Sequence, residues 1–226
     1  MSTGAFEIYK TDSEIGKEIK DTVYTVKNSS GELVGKIKTG DNGYGILEGL
    51  YAGNYTLTEE SSNENDIKAT DDINSEITAG KTTKLELTNE HKKGNLKIYK
   101  VDKDNNRVVL GNVQFDIYSE QLQKVTGTYT TDVNGKIEIN DLRNGNYKII
   151  EKNTSEWYNW ADDIDVKIDW DKTTSITIEN ELKKGQVKII KVDSENNEIK
   201  LKDVKFEVYA DKDKNEIADT DELIDT

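Results

Sequence analysis

The sequence predicts an all-β protein of short strands and tight turns, on three observations. Its apolar residues fall in short alternating runs rich in Ile, Val, Tyr and Thr. Turn formers punctuate those runs, as in "SSGELVG", "GDNGYG", "DVNGK" and "RNGNY". No stretch carries the spacing of a convincing amphipathic helix.

Composition narrows the function classes. The 226 residues suffice for one large or two to three small domains. A net charge of −14 argues against nucleic-acid binding, which needs a cationic footprint. No apolar run approaches a membrane span, and no secretory signal is visible at the start. With no cysteine, disulfides and thiolate chemistry are excluded.

Along the chain, "AFEIYKTD" reads as a first strand with Phe6, Ile8 and Lys10 on one face. "DTVYTVK" follows as a second strand. "GNYTLTE" places Tyr55, Leu57 and Glu59 on one face, and "LELTN" does the same for Leu85, Leu87 and Asn89. The pattern then starts again. "NLKIYKVD" aligns Leu96, Ile98 and Lys100; "YKIIE" aligns Tyr147, Ile149 and Glu151; "ITIEN" aligns Ile176, Ile178 and Asn180. A third start, "QVKIIKVD", aligns Val187, Ile189 and Lys191. Lys10, Lys100 and Lys191 are 90 and 91 residues apart. We therefore expect repeats over 1–92 and 93–183 and the first half of another over 184–226. The junctions "NEHKKG" and "NELKKG" lack a Gly/Ser or Pro spacer, which predicts domains held close, end to end.

Each full repeat sends a Lys, a Glu and an Asn inward, at the end of an apolar face. Burying Lys and Glu costs several kcal/mol unless they pair or become neutral. Desolvation favours the uncharged forms. A neutral amine is a nucleophile, and a protonated carboxyl can donate to a carbonyl oxygen. An asparagine amide so polarised is an electrophile. The amine can then displace ammonia and leave an isopeptide bond, with glutamate as general acid and base. The ordinary alternative is a half-exposed strand-end salt bridge, worth little. Matched spacing favours the reactive reading: Lys10 to Glu59 is 49 residues and Glu59 to Asn89 is 30, against 51 and 29 in the second repeat.

The motifs "IYKTD"/"IYKVD"/"IIKVD", "GNYTLTE"/"GNYKIIE" and "LTNE"/"IENE" resemble the B-type (Cna B-type) repeat domains of the collagen adhesin and related pilin domains of Gram-positive bacteria. The resemblance spans nearly the whole chain. It implies tandem immunoglobulin-like β-sandwiches with first and last strands adjacent, and a spontaneous Lys–Asn isopeptide bond assisted by Glu. It assigns Lys10, Glu59 and Asn89 to one triad and Lys100, Glu151 and Asn180 to the other. The Pro-Gly-Tyr turn that often follows the family's glutamate is replaced by "ESSNENDIK" and "KNTSEWYNW". Absence of the pilin polymerisation lysine motif and of a sortase signal favours a stalk segment over a shaft pilin.

These expectations make the chain a bacterial cell-surface stalk outside the cell, with a single-turnover cross-link and no enzymatic cycle. Its partners would be neighbouring repeats and, through a separate tip domain, host matrix; neither nucleic acid nor membrane is expected. The rival is a collagen- or carbohydrate-binding module using Trp157 and Trp160 of "WYNW", although such tryptophans more often cover a sandwich end. A hydrolase would need paired carboxylates in a cleft, and no pattern points to one. No cofactor is required. Asp211, Asp213, Asn215, Asp219 and Glu222 match positions 1, 3, 5, 9 and 12 of a calcium loop. Glu216 stands where a turn glycine is expected, so calcium and a solvated acidic loop are both open. His91 lies in a junction and receives no role.

Overall fold

The computed structural model describes residues 2–209 and 223–225. Residues 1–183 form one compact unit and 184–226 another. Among the described residues every regular element is a strand.

The first sandwich is built from β1 (Gly4–Asp12), β2 (Val23–Asn28), β3 (Leu33–Lys38), β4 (Tyr44–Leu50), β5 (Gly53–Ser61), β6 (Ile73–Ile77) and β7 (Thr82–Asn89). One sheet has the order β4-β1-β7 and the other β3-β2-β5-β6. Strand β1 pairs antiparallel with β4 but parallel with β7, so the first and last strands of the sandwich are neighbours. Alternation puts Phe6, Ile8, Tyr24, Val26, Tyr55 and Leu57 into one core.

The second sandwich repeats this plan with β8 (Lys93–Asp102), β9 (Gln114–Ser119), β10 (Lys124–Thr130), β11 (Lys136–Arg143), β12 (Gly145–Glu151), β13 (Ile164–Ile168) and β14 (Thr173–Asn180). Its sheets run β11-β8-β14 and β10-β9-β12-β13, again with the first and last strands parallel. Leu96, Ile98, Phe115, Ile117, Tyr147 and Ile149 lie in its core.

Two turn glycines hold the strand that carries each lysine. Gly43 and Gly135 have φ of 67° and 68°, a region that suits glycine. Their carbonyls accept from the Lys10 N–H at 2.8 Å and the Lys100 N–H at 2.7 Å. A Cβ there would lie 2.3 Å from the Lys10 carbonyl oxygen and 2.5 Å from that of Lys100.

The third start shares the sequence pattern of β1 and β8 but not their pairing. "QVKIIKVD" forms no ladder: Val187 is 77% exposed, and Lys191 is exposed too. Its turn survives, because Asp193 Oδ1 accepts from the N–H groups of Glu195 and Asn196 just as Asp12 and Asp102 cap theirs. The strand needs long-range partners equivalent to β4 and β7, whereas the turn needs only its own aspartate. Strands β15 (Val208–Tyr209) and β16 (Leu223–Asp225) pair with each other in this unit.

Candidate functional site

The alternation that packs the core also carries Lys10, Glu59 and Asn89 inward. Lys10 and Glu59 are each 1% exposed and Asn89 3%, so all three have left water. The parallel register sets Lys10 against Leu87 and Asp12 against Asn89, which brings the lysine diagonally onto the asparagine. Lys10 Nζ lies 2.7 Å from Asn89 Oδ1, 3.2 Å from Glu59 Oε2 and 2.9 Å from the Thr88 carbonyl oxygen. Asn89 Nδ2 donates to Glu59 Oε1 at 2.6 Å and to Ser62 Oγ at 3.0 Å. Burial pushes the Lys10 amine below the usual lysine range, against the opposing pull of Glu59.

The second domain repeats the cluster. Lys100 Nζ donates to Asn180 Oδ1 and, at 3.3 Å, to the Ile178 carbonyl. Glu151 Oε2 is 3.7 Å from the amine, and Oε1 accepts from Asn180 Nδ2 at 2.7 Å. Thr154 Oγ1 takes the place of Ser62, 2.8 Å from Asn180 Nδ2. Burial lowers the Lys100 amine to about 8, while Glu151 pulls the other way. In both domains the carboxyl sits at the amide nitrogen. This differs from the expectation that the carboxyl polarises the carbonyl oxygen. The lysine takes that oxygen because its strand is the direct neighbour of the asparagine strand.

A model of the SpaA prealbumin-like fold domain matches residues 4–91 and again 94–182. The chain belongs to this family. SpaA-type prealbumin-like domains are structural, non-enzymatic domains. Among solved structures, the Bacillus anthracis TIE protein matches at 27% identity and a TM-score of 0.66, over 80% of this chain and 34% of that one. The chain thus spans about a third of that protein. The minor pilin GBS52 of Streptococcus agalactiae matches at 16% identity and a TM-score of 0.42, over 82% of this chain and 99% of that one. The shaft pilin spaA of Lactobacillus rhamnosus GG matches at 14% identity and a TM-score of 0.36, over 82% and 99%. No curated protein matches the chain.

The two SpaA-type domains meet through a polar joint that the sequence reading missed. Arg143, at the end of β11, donates to both oxygens of Asp12 and, at 2.9 Å, to Glu14 Oε2. Burial opposes ionisation of Asp12, but Arg143 and the N–H groups of Glu14 and Ile15 hold its carboxyl below the usual range. His91 is no bystander. It is buried, with Nδ1 3.1 Å from Asp66 Oδ1 and Nε2 3.4 Å from the Asn144 carbonyl oxygen of the second domain. Asp12, Asp66 and His91 have the donor types and spacing of metal ligands. Arg143 already neutralises Asp12, so the cluster is satisfied without an ion. These residues line a cavity of about 270 Å³.

The remaining sequence expectations fall elsewhere. Trp157 and Trp160 are 59% and 61% exposed. The calcium set Asp211, Asp213, Asn215, Asp219 and Glu222 lies outside the described residues. Among the described residues no helix is long and apolar enough to cross a membrane. Ser62 and Thr154 were readable in principle, since both stand three residues after the triad glutamate. Nothing local marks Arg143 as the residue that reaches Asp12.

Proposed function

We propose that the chain is a stalk segment of a Gram-positive surface adhesin or pilin, displayed at the cell wall, in which each sandwich closes its own Lys–Asn isopeptide bond. One observation carries this reading: two buried Lys–Glu–Asn clusters of matching geometry, each where the first and last strands lie side by side. A salt bridge alone requires no asparagine within reach of the lysine, and burying one without further purpose is costly.

Each carboxylate spans the reaction. Lys10 Nζ, uncharged, attacks the Asn89 side-chain carbon. Glu59 Oε2 accepts the proton that the new N–C bond releases from Nζ. A proton from the Glu59 carboxyl goes to Asn89 Nδ2, the Cγ–Nδ2 bond breaks, and ammonia leaves. The carboxylate is regenerated, and the products are one secondary amide and one ammonia. Lys100, Glu151 and Asn180 act alike. Fixed packing supplies the proximity. The bond joins residues 79 apart in the first domain and 80 apart in the second, so a pull between strand ends bypasses most of each sandwich.

Intact-mass measurement tests the reading. The purified chain should weigh two ammonias less than its sequence mass; a mass equal to the sequence mass would refute it.

The exposed Trp157 and Trp160 favour a second reading, a collagen- or carbohydrate-binding face. Collagen and glycan binding assays decide between them, since a pure stalk binds neither. Neighbouring repeats, and host matrix through a separate tip domain, are the partners proposed for the stalk. Calcium at Asp211, Asp213, Asn215, Asp219 and Glu222 is proposed from the sequence alone, and calorimetry with calcium tests it.

A further inference from the structure

The two carboxyls address the asparagine alike but are held differently at their second oxygen. Tyr24 lies directly opposite Glu59 in the pairing of β2 with β5, and Phe115 lies directly opposite Glu151 in the pairing of β9 with β12. The Tyr24 hydroxyl donates to Glu59 Oε2 at 3.0 Å, the oxygen that faces Lys10 Nζ at 3.2 Å. Phe115 has no hydroxyl to offer. In that domain the Ala161 N–H donates to Glu151 Oε2 at 2.9 Å. Both rings are buried. The last torsion of a glutamate is broad, so a carboxyl held by one oxygen alone samples many orientations.

We infer that Tyr24 is a positioning residue for cross-linking of the first domain: its hydroxyl orients Glu59 so that Oε2 meets the Lys10 amine while Oε1 meets the Asn89 amide. This rests on the cross-linking reading. Tyr24 touches neither reacting nitrogen within hydrogen-bond distance; its ring centroid is 5.6 Å from Lys10 Nζ. It acts through Glu59, which takes the proton from Nζ and returns one to the departing ammonia. In the second domain the backbone at Ala161 has the same role, which leaves position 115 free to be phenylalanine. The chain therefore contains its own control, a domain that natively carries phenylalanine at the matching place.

The test times each bond separately. The full chain is made by cell-free translation, translation is stopped, and aliquots are quenched at intervals. Peptide mapping by mass spectrometry then follows ammonia loss at Lys10–Asn89 and at Lys100–Asn180. Tyr24→Phe keeps the ring and removes one hydrogen bond to a charged group. It should slow the first bond about tenfold and leave the second at its wild-type rate. Amide protection at Phe6 and Ile8, measured on the same aliquots, should match wild type, which separates positioning from folding. A first bond that forms in Tyr24→Phe at the wild-type rate overturns the role of Tyr24 alone. Slowing of both bonds, or loss of protection at Phe6 and Ile8, overturns it as well, because the effect is then on folding. A wild-type chain that loses no ammonia overturns the cross-linking reading, and this inference with it.

Discussion

Lys10 Nζ and Asn89 Oδ1 stand 2.7 Å apart, although 79 residues of chain separate them. Their strands are parallel neighbours, and each residue sits at or near the last inward position of its strand. Two residues further along the chain come Asp12, the last residue of β1, and His91, just past the end of β7, and both reach the second domain. The Lys10–Asn89 pair and the joint thus lie two residues apart along both stretches of chain.

Asn89→Ala leaves the Lys10–Glu59 ion pair in place and removes only the bonding partner. Closing a loop of this length constrains the unfolded chain by roughly 4–5 kcal/mol, in analogy with a disulfide. The variant should weigh one ammonia less than its own sequence mass instead of two, melt lower in its first domain by on the order of 20 °C, and gain trypsin sensitivity there. The Lys100–Asn180 bond should be unaffected, since the two cores are separate. Differential scanning calorimetry with intact mass checks both halves.

Glu151→Gln is close in shape to the native side chain but cannot shuttle a proton. Although glutamate is absent from the product, we expect this variant to stop ammonia loss at Lys100–Asn180 and to leave Lys10–Asn89 untouched. A passive salt-bridge partner would not be needed for mass loss, so complete bond formation in the variant would exclude the catalytic role.

The pH dependence follows from the lowered amine. Lys100 titrates near 8, and only its uncharged form attacks. Below that pH the neutral fraction, and so the rate of ammonia loss in the second domain, should rise about tenfold per pH unit. Above about 8 it should level off. Quenched time courses between pH 5 and 10, mapped by mass spectrometry, measure this profile; a rate that kept climbing to the ordinary lysine range would contradict the burial effect.

At the joint, Arg143→Ala leaves Asp12 buried without its main cation. The cost should be roughly 2–3 kcal/mol, the value of a hydrogen bond to a charged group. The change should appear as faster amide exchange at Lys92 and Asn144. The Asn144 N–H of the second domain bonds to the Lys92 carbonyl at 2.8 Å, and the Lys92 N–H bonds back to the Asn65 carbonyl of the first domain at 2.9 Å. Exchange at Ile8 and Ile98, inside the cores, should stay slow.

The all-β class, the repeat and the inward face of each strand were legible in the chain alone. Those depend on period-two alternation and on turn residues, which act over a few positions. Lys10, Glu59 and Asn89 with Lys100, Glu151 and Asn180 were legible too, because a charged residue on an apolar face is a local anomaly visible in two copies. What surrounds them depends on long-range packing. The parallel register of β1 and β7 put the lysine at the carbonyl oxygen and left the amide nitrogen to the glutamate. Packing brought Tyr24 to one carboxyl and the Ala161 N–H to the other. It buried His91 between Asp66 and Asn144, 25 and 53 residues away. It left Val187 and Lys191 outside any ladder, though their pattern copies that of β1 and β8. A strand's pattern states which face should be buried; whether it is buried depends on partner strands that long-range packing must supply.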